Sequence, residues 1–485
     1  MTELHALFSE YWPHVLFMVS GVAGTAAAVH AAMTKQDVRA AVAWVGVALF
    51  SPIFGAVLYL VAGINRVRKQ RITQPRAGTI YAEDVIERVL VQDVSAVAGA
   101  QFSTLKVLGD RVSHFKVLNF NEIQKLRGGD ETYPAMLAAI RRATQSIALQ
   151  TYIFDHDVLG AEFAQALIEA RARGVQVRVL IDAVGSKYSR PPIIHMLLKG
   201  GVQAALFMRP LFGLRLAYAN LRSHRKLLVI DGVHGFTGGM NIRAGFLSAV
   251  AKTDVTQDTH FELKGPIVHQ LIISFAHDWQ FTTQEKLKGP EWFAPALGQL
   301  AEQGIPMRCV ASGPDSTLGS THNMLLGALS VAQRHVRIQS PYFLPDLVLI
   351  AALSTAARRG VVVDIVVPGA NNLKLVNAAM MAQLDQLILT GCRVWQAQGN
   401  FDHSKLCTVD GGWSYVGSSN IDPRSLRLNF ELDLEVYDRG FAAGLENQID
   451  TVIARAERIT IRTLRRQPFW LRLRNKVAWL ASPYL

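Results

Sequence analysis

The sequence predicts an α/β protein of two similar lobes, a duplicated mixed-sheet α/β sandwich, preceded by two long apolar helices. Three observations predict it. Residues 14–33 and 40–64 contain no Lys, Arg, Asp or Glu. Three segments of the remaining chain recur in the same order further on. Within each copy, short apolar runs alternate with helical stretches, as in layered α/β folds.

The apolar stretches come first. The second is 25 residues long, more than the ~20 needed to span a bilayer as a helix, and Pro52 would kink it without forbidding it. With only residues 34–39 between them, the two read as a transmembrane hairpin over 1–70. A cleaved signal peptide is disfavoured, because the residues before His14 include Glu3 and Glu10 and no Lys or Arg. After the hairpin come Arg66, Arg68, Lys69, Arg71 and Arg76, with no acid from 65 to 82. Such a cluster belongs on the cytoplasmic side. The expectation is a multi-pass membrane protein with both termini and the main body cytoplasmic.

Charge placement narrows the partners. The net charge is +12, and residues 459–485 add six bases without an acid, so the two clusters hold eleven of the twelve. A nucleic-acid binder would spread its charge along a groove. Charge beside apolar segments suits anionic lipid headgroups instead. Cys309, Cys392 and Cys407 show no CxxC spacing, so neither a disulfide framework nor a zinc site is readable.

Residues 71–124, of mixed polarity, read as a linker. The first lobe is placed at 125–288, a Gly- and Pro-containing inter-lobe linker at 289–303, and the second lobe at 304–462. The repeats define the lobes. SIALQTYIF (146–154) matches HVRIQSPYF (335–343), and ARARGV (170–175) matches AARRGV (356–361). HRKLLVIDGVHGFTGGMN (224–241) matches HSKLCTVDGGWSYVGSSN (403–420). The offsets drift through 189, 186 and 179 residues, as loop insertions would make them. In each lobe a strand (147–153; 336–340) precedes a helix (161–173; 347–359) and a second strand (175–181; 361–367). Gly174 and Gly360 mark the helix stops.

The last repeat carries the chemistry. Both copies read His-x-Lys-x4-Asp, followed after six residues by Gly-[Gly/Ser]-x-Asn. Residues 227–230 and 406–409 are apolar enough for buried strands. Alternation then puts His224 with Lys226, and His403 with Lys405, on one face. Asp231 and Asp410, counted with the catalytic residues as members of the motif, fall on the other, better placed to brace the loop or the lobe interface than to touch their own histidines. Displacement at a phosphodiester needs a nucleophile, a proton donor for the leaving alkoxide and groups that hold the phosphate oxygens. Two histidines can divide the first two tasks, because neutral and protonated imidazole are both accessible near neutral pH. Lys226, Lys405, Asn241 and Asn420, with the adjoining Gly239 and Ser418, can hold the oxygens, so neither a metal nor a cofactor is called for. Each lobe supplies one copy, so the site should lie where the lobes meet. A catalytic His also needs a carboxylate to fix its tautomer. The first lobe offers Asp258 and the second Glu431.

These residues resemble the signature of the phospholipase D superfamily over roughly 129–438. Within it the chain is similar to the bacterial cardiolipin synthases. The similarity rests on Trp44, Pro52, Gly55, Leu58, Tyr59 and Gly63 in the hairpin, on GGMNI, and on DTHFELKGP with its helix through Phe275 and Trp279. It rests also on GSSNIDPRSLRLNFELDLEVYD and the terminal QPFWLRLRNKVAWLASPYL. The resemblance implies a ping-pong transfer in which one phosphatidylglycerol gives its phosphatidyl group to a histidine and releases glycerol. A hydroxyl of a second phosphatidylglycerol then takes the group. It implies His224 as nucleophile and His403 as acid/base, although both motifs are intact and the reverse stays open. The residues alone also leave open water in place of a lipid hydroxyl. Gly239 stands where the family commonly has Ser.

Residues 463–485 read as a basic amphipathic helix, with Phe469, Trp470, Leu473, Val477 and Leu480 at three- and four-residue spacing. That pattern suits a bilayer surface or packing on the protein's own core. Oligomeric state is not legible.

Overall fold

The computed structural model describes residues 2–35, 37–63, 89–208, 221–294 and 304–482. The N-terminal helices form one compact unit and nearly all the rest of the chain another.

In the N-terminal unit one helix runs from Thr2 to Thr34. Its segment Glu10–Thr34 is, among the described residues, the one helix long and apolar enough to cross a membrane. The second apolar stretch differs from the continuous helix expected for it. It is a helix Val38–Phe50, a break at Ser51, a helix Pro52–Leu58 and a π-turn Tyr59–Gly63. The cause is local. Pro52 has no N–H to continue the ladder and disfavours helical geometry in the residue before it, and Ser51 sits at φ −140°, ψ 74°. The three helices pack through Ala27, Ala28, Ala31, Ala48 and Ala56, small residues that let backbones approach closely, with Tyr59 of the π-turn buried among them.

The second unit is built on one long sheet. Its strands are β1 (Leu118–Arg127), β2 (Ser146–Thr151), β3 (Gln176–Asp182), β4 (Gln203–Phe207), β5 (Arg222–Ser223), β6 (Leu227–Ile230), β7 (His234–Gly238) and β8 (Thr259–Lys264). They continue as β9 (Ile305–Ser312), β10 (His335–Gln339), β11 (Val362–Pro368), β12 (Arg393–Ala397), β13 (Leu406–Val409), β14 (Trp413–Gly417), β15 (Asn429–Tyr437) and β16 (Glu457–Ile459). One half has the order β4-β3-β2-β6-β7-β8-β1, and the other β12-β11-β10-β13-β14-β15-β9. Antiparallel pairing of β1 with β9, at Leu118–Met307 and Asn121–Ile305, joins them. In each half the first three strands are parallel and the rest antiparallel. The parallel strands are linked by helices such as Val158–Ala172 and Leu347–Arg358. Both end at the expected glycines, Gly174 (φ 96°) and Gly360 (φ 92°), where a left-handed residue stops a helix.

Residues 89–117, read from sequence as part of a linker, are core. Val94, Ala98, Phe102, Leu105 and Val117 are buried with Met324, Ala328 and Trp413 of the second half. Their apolar face needed a partner that lies more than 200 residues away, which local reading cannot supply. β1 likewise begins at Leu118, ahead of the boundary drawn at 125. Within the inter-lobe segment, 295–303 lie outside the described residues, and Trp292 is buried beneath the Arg178 guanidinium, 5.5 Å from its ring. At the C-terminus, helix Phe469–Leu480 buries Ala478 against Ala378 and Ala379 of helix Lys374–Met381. Its other face leaves Trp470 74% and Leu480 71% exposed.

Candidate active site

His224 and Lys226 lie in the extended segment between β5 and β6, and His403 and Lys405 in the segment before β13. Each segment crosses to the opposite half. β5 pairs in parallel with the start of β15, and His224 N donates to Phe430 O at 2.8 Å. His403 N donates to Gln257 O, also at 2.8 Å. A motif from one half is thereby laid against the acid-bearing segment of the other.

The histidine–carboxylate pairs follow from this exchange. His224 Nδ1 is 2.9 Å from Glu431 Oε2, and His403 Nδ1 is 2.9 Å from Asp258 Oδ2. A carboxylate only accepts, so each ring donates Nδ1–H and keeps Nε2 as a lone-pair nitrogen. All four residues are buried. Glu431 is itself held by Asn429 Nδ2 at 3.0 Å and the Ser418 hydroxyl at 2.6 Å. Sequence reasoning named both acids. It could not see that each serves the histidine of the other half.

Electrostatics tie the six groups into one cluster. Burial, and then the Lys226 and Lys405 cations, hold both imidazoles well below the usual histidine range, and the His224 charge also bears on His403. Burial depresses Lys226 to about 7 and Lys405 to about 8, while Asp258 and Glu431 pull both the other way. Burial raises Asp258 to about 6 and raises Glu431 as well. Desolvated cations of this kind gain most from an anion delivered into the site.

The two lysines are anchored alike. Lys226 Nζ donates to His224 O at 2.6 Å, and Lys405 Nζ donates to His403 O. Lys405 Nζ also lies 2.8 Å from His403 Nδ1. That nitrogen cannot donate to Asp258 and accept from the ammonium at once. The buried carboxylate, a charged acceptor, takes the Nδ1 proton in preference, and the lysine keeps the backbone carbonyl. Asn241 accepts from Ile153 N at 3.1 Å, which leaves its NH2 as the free donor. Asn420 is buried, with its amide nitrogen 3.4 Å from Ser425 Oγ.

Four residues singled out from sequence do other work. Asp231 (φ 52°) and Asp410 (φ 53°) sit in the turns after β6 and β13. Asp231 accepts from the N–H groups of Thr144, Gln145 and Ser146 at 3.0, 2.8 and 2.9 Å. Asp410 accepts from Gln333, Arg334 and His335 at 2.8, 2.7 and 2.8 Å. They cap the chain entering β2 and β10. The Ser418 hydroxyl, read as a phosphate ligand, is committed to Glu431 and to Leu432 N. Gly239, read the same way, makes room: a Cβ there would lie 2.5 Å from the Asp258 carboxylate.

Other residues escaped sequence reasoning. The Tyr152 ring packs edge-on against His224 at 5.4 Å, and Tyr342 against His403 at 5.9 Å. They come from TYIF and SPYF, but one position out of register, so matching the repeats hid them. Arg225, between the motif His and Lys, is fully buried and donates to Asp278 at 2.8 Å and to Glu431 O at 3.0 Å. Thr259 and Ser404 hydroxyls meet across the halves at 2.9 Å.

Two carboxylate-oriented histidines and two lysines, drawn from the two halves of a mixed sheet, define a phosphatidyltransferase of the phospholipase D class. A family model described as cardiolipin synthase, PLD-like domain, matches residues 136–279 and 325–453. A second, described as phospholipase D-nuclease N-terminal, matches 23–63. The chain is 32% identical to cardiolipin synthase A of Pseudomonas entomophila strain L48, over 98% of this chain and 99% of that protein. It is 33% identical to cardiolipin synthase A of Pseudomonas aeruginosa strain LESB58, over 99% and 98%. The fold also resembles the crystal structure of a phosphatidylserine synthase from Haemophilus influenzae, with TM-score 0.60 and 16% identity over 79% of this chain and all of that one. The chain belongs to the cardiolipin synthase family.

Proposed function

We propose that the enzyme makes cardiolipin and glycerol from two molecules of phosphatidylglycerol through a phosphohistidine. The observation that carries this reading is the crosswise pairing of His224 with Glu431 and His403 with Asp258. His224 Nε2 attacks the phosphorus of the first lipid, and the bond from phosphorus to the glycerol headgroup breaks. His403, which takes up a proton as the anionic phosphodiester enters and offsets the lysine charges, gives that proton to the departing glycerol oxygen. Neutral His403 then takes the proton of a headgroup hydroxyl on the second lipid. That oxygen attacks phosphorus, the P–N bond breaks, and both rings return to their starting states. Lys226, Lys405 and the amides of Asn241 and Asn420 hold the non-bridging oxygens throughout. His224 suits the nucleophile because two acceptors, Glu431 and Ser418 O at 3.1 Å, keep its proton on Nδ1.

The matching strand orders support a duplication, with one lobe per half. The exposed row on helix Phe469–Leu480, flanked by Arg472 and Lys476, supports a seat on the bilayer surface for the body. Purified enzyme with labelled phosphatidylglycerol tests the reaction. Cardiolipin with an equivalent of glycerol is the expected outcome. Phosphatidic acid alone would make water the acceptor and overturn the transfer.

A further inference from the structure

We propose that the N-terminal unit crosses the membrane once and dips into it once, with residues 38–63 forming a re-entrant helical hairpin that returns to the side of Lys35. This replaces the two spans expected from sequence.

The path of the chain carries the inference. Helix Val38–Phe50 runs back along Thr2–Thr34 only as far as Gly24, where an added Cβ would lie 2.6 Å from Ala48 O and 2.7 Å from Pro52 Cβ. Thirteen residues reach about 20 Å at 1.5 Å per residue, short of the ~30 Å apolar core of a bilayer. After Ser51 the chain reverses, with Gly55 against the Val47 backbone. It then climbs beside the first helix. Tyr59 OH meets His30 Nδ1 at 2.7 Å, and the Tyr59 and Trp44 rings are 5.4 Å apart. At the top, the Lys35 amine donates to Gly63 O. Residue 63 therefore leaves beside residue 35.

The turn leaves few donors open, although the Ser51 side chain caps none of them. Irregular backbone inside a membrane is tolerated only where its polar groups are satisfied. Ser51 N donates to Val47 O at 3.2 Å, Pro52 has no N–H, and Gly55 N donates to Ser51 O at 2.5 Å.

The charges agree independently. No Lys or Arg occurs in residues 1–34, whereas Lys35, Arg39 and the cluster Arg66–Arg76 follow. A single crossing puts all of these bases on one face, and Glu3 and Glu10 on the other. Two spans would strand Lys35 and Arg39 across the membrane from the cluster. Because bases stay on the cytoplasmic side, the N-terminus lies outside and the body inside.

Cysteine labelling of the full chain tests this without requiring turnover, so its outcome is separate from the transferase reading. Cys309, Cys392 and Cys407 are buried, leaving introduced cysteines to carry the signal. Thr2→Cys, Asp37→Cys and Thr253→Cys chains, reporting the N-terminus, the loop and an exposed turn of the body, are treated in spheroplasts with a membrane-impermeant maleimide. Labelling is normalised to the amount of each chain. The Thr2→Cys chain should label in intact spheroplasts. The loop and body chains should both gain label several-fold only on permeabilisation. Loop and body on opposite sides would establish two spans and overturn the proposal. A protected Thr2→Cys chain with the other two labelled, or equal labelling of all three, would overturn it too.

Discussion

The two halves of the site carry the same motif but do not treat their histidines alike. Among the described residues His224 has a single set of partners: Nδ1 faces Glu431 and Ser418 O, while Lys226 donates to the backbone carbonyl and lies over the Tyr152 ring. His403 Nδ1 lies within 2.9 Å of both Asp258 and Lys405 Nζ. The acids also differ. Glu431 is clasped by the Ser418 hydroxyl, while the shorter Asp258 fits against Gly239, which has no side chain to offer. Both rings are thus held as Nδ1–H, His224 by two acceptors and His403 by one acceptor beside a cation, and the Nε2 of each is left for the substrate. Gly239 is then the natural companion of an aspartate.

Substitutions that erase the difference should hurt most. Glu431→Gln and Asp258→Asn should each cut kcat about 10^2- to 10^4-fold, as when a catalytic histidine loses the carboxylate that sets its tautomer. If the crosswise pairing is right, 15N spectra of labelled histidines will show Glu431→Gln perturbing the His224 ring and leaving that of His403 unchanged. Gly239→Ser comes next. Its Cβ would press on the Asp258 carboxylate, and kcat should fall roughly tenfold, about 1.4 kcal/mol. Ser418→Gly removes one hydrogen bond to Glu431 and should cost less, about 1 kcal/mol. Equal effects at the two positions would dissolve the asymmetry.

Asp410→Ala separates bracing from chemistry. It frees three N–H groups and should lower stability by about 2 kcal/mol, with kcat per folded molecule unchanged. A large fall in kcat at full stability would return Asp410 to the reacting groups.

The smallest effect concerns protons. Lys226 and Lys405 lie below their unfolded value of 10.5, at about 7 and 8. Their contribution to the stability of the empty protein is present above 10.5 and is lost as pH falls through 8 and 7. A bound anion reverses the shift. Binding of a phosphonate analogue of phosphatidylglycerol at pH 8 should therefore take up a fraction of a proton, read by calorimetry in buffers of different ionisation enthalpy. Proton release would contradict the sign.

Much of the site was legible because it is written twice. The spacing of His224, Lys226 and Asn241 gains its force from the same spacing at His403, Lys405 and Asn420, and strand alternation sets Asp231 and Asp410 aside. What stayed hidden depends on tertiary exchange. Nothing local says that the residue before β6 pairs with β15, so the partners of Glu431 and Asp258 could not be assigned. Tyr152 and Tyr342 sit at non-equivalent positions and drop out of any repeat comparison. Residues 89–117 looked like a linker because their core partners are far away in sequence. The apolar run 40–64 reads as one helix because composition does not show where Pro52 breaks it.

The central claim is that two histidines from two halves form one site, and counting the first half-reaction tests it most directly. Rapid mixing with labelled phosphatidylglycerol should give a burst of one glycerol per chain, and either His224→Ala or His403→Ala should lower turnover about 10^3-fold or more. Two glycerols per chain, or half of the burst surviving the loss of either histidine, would mean two separate sites.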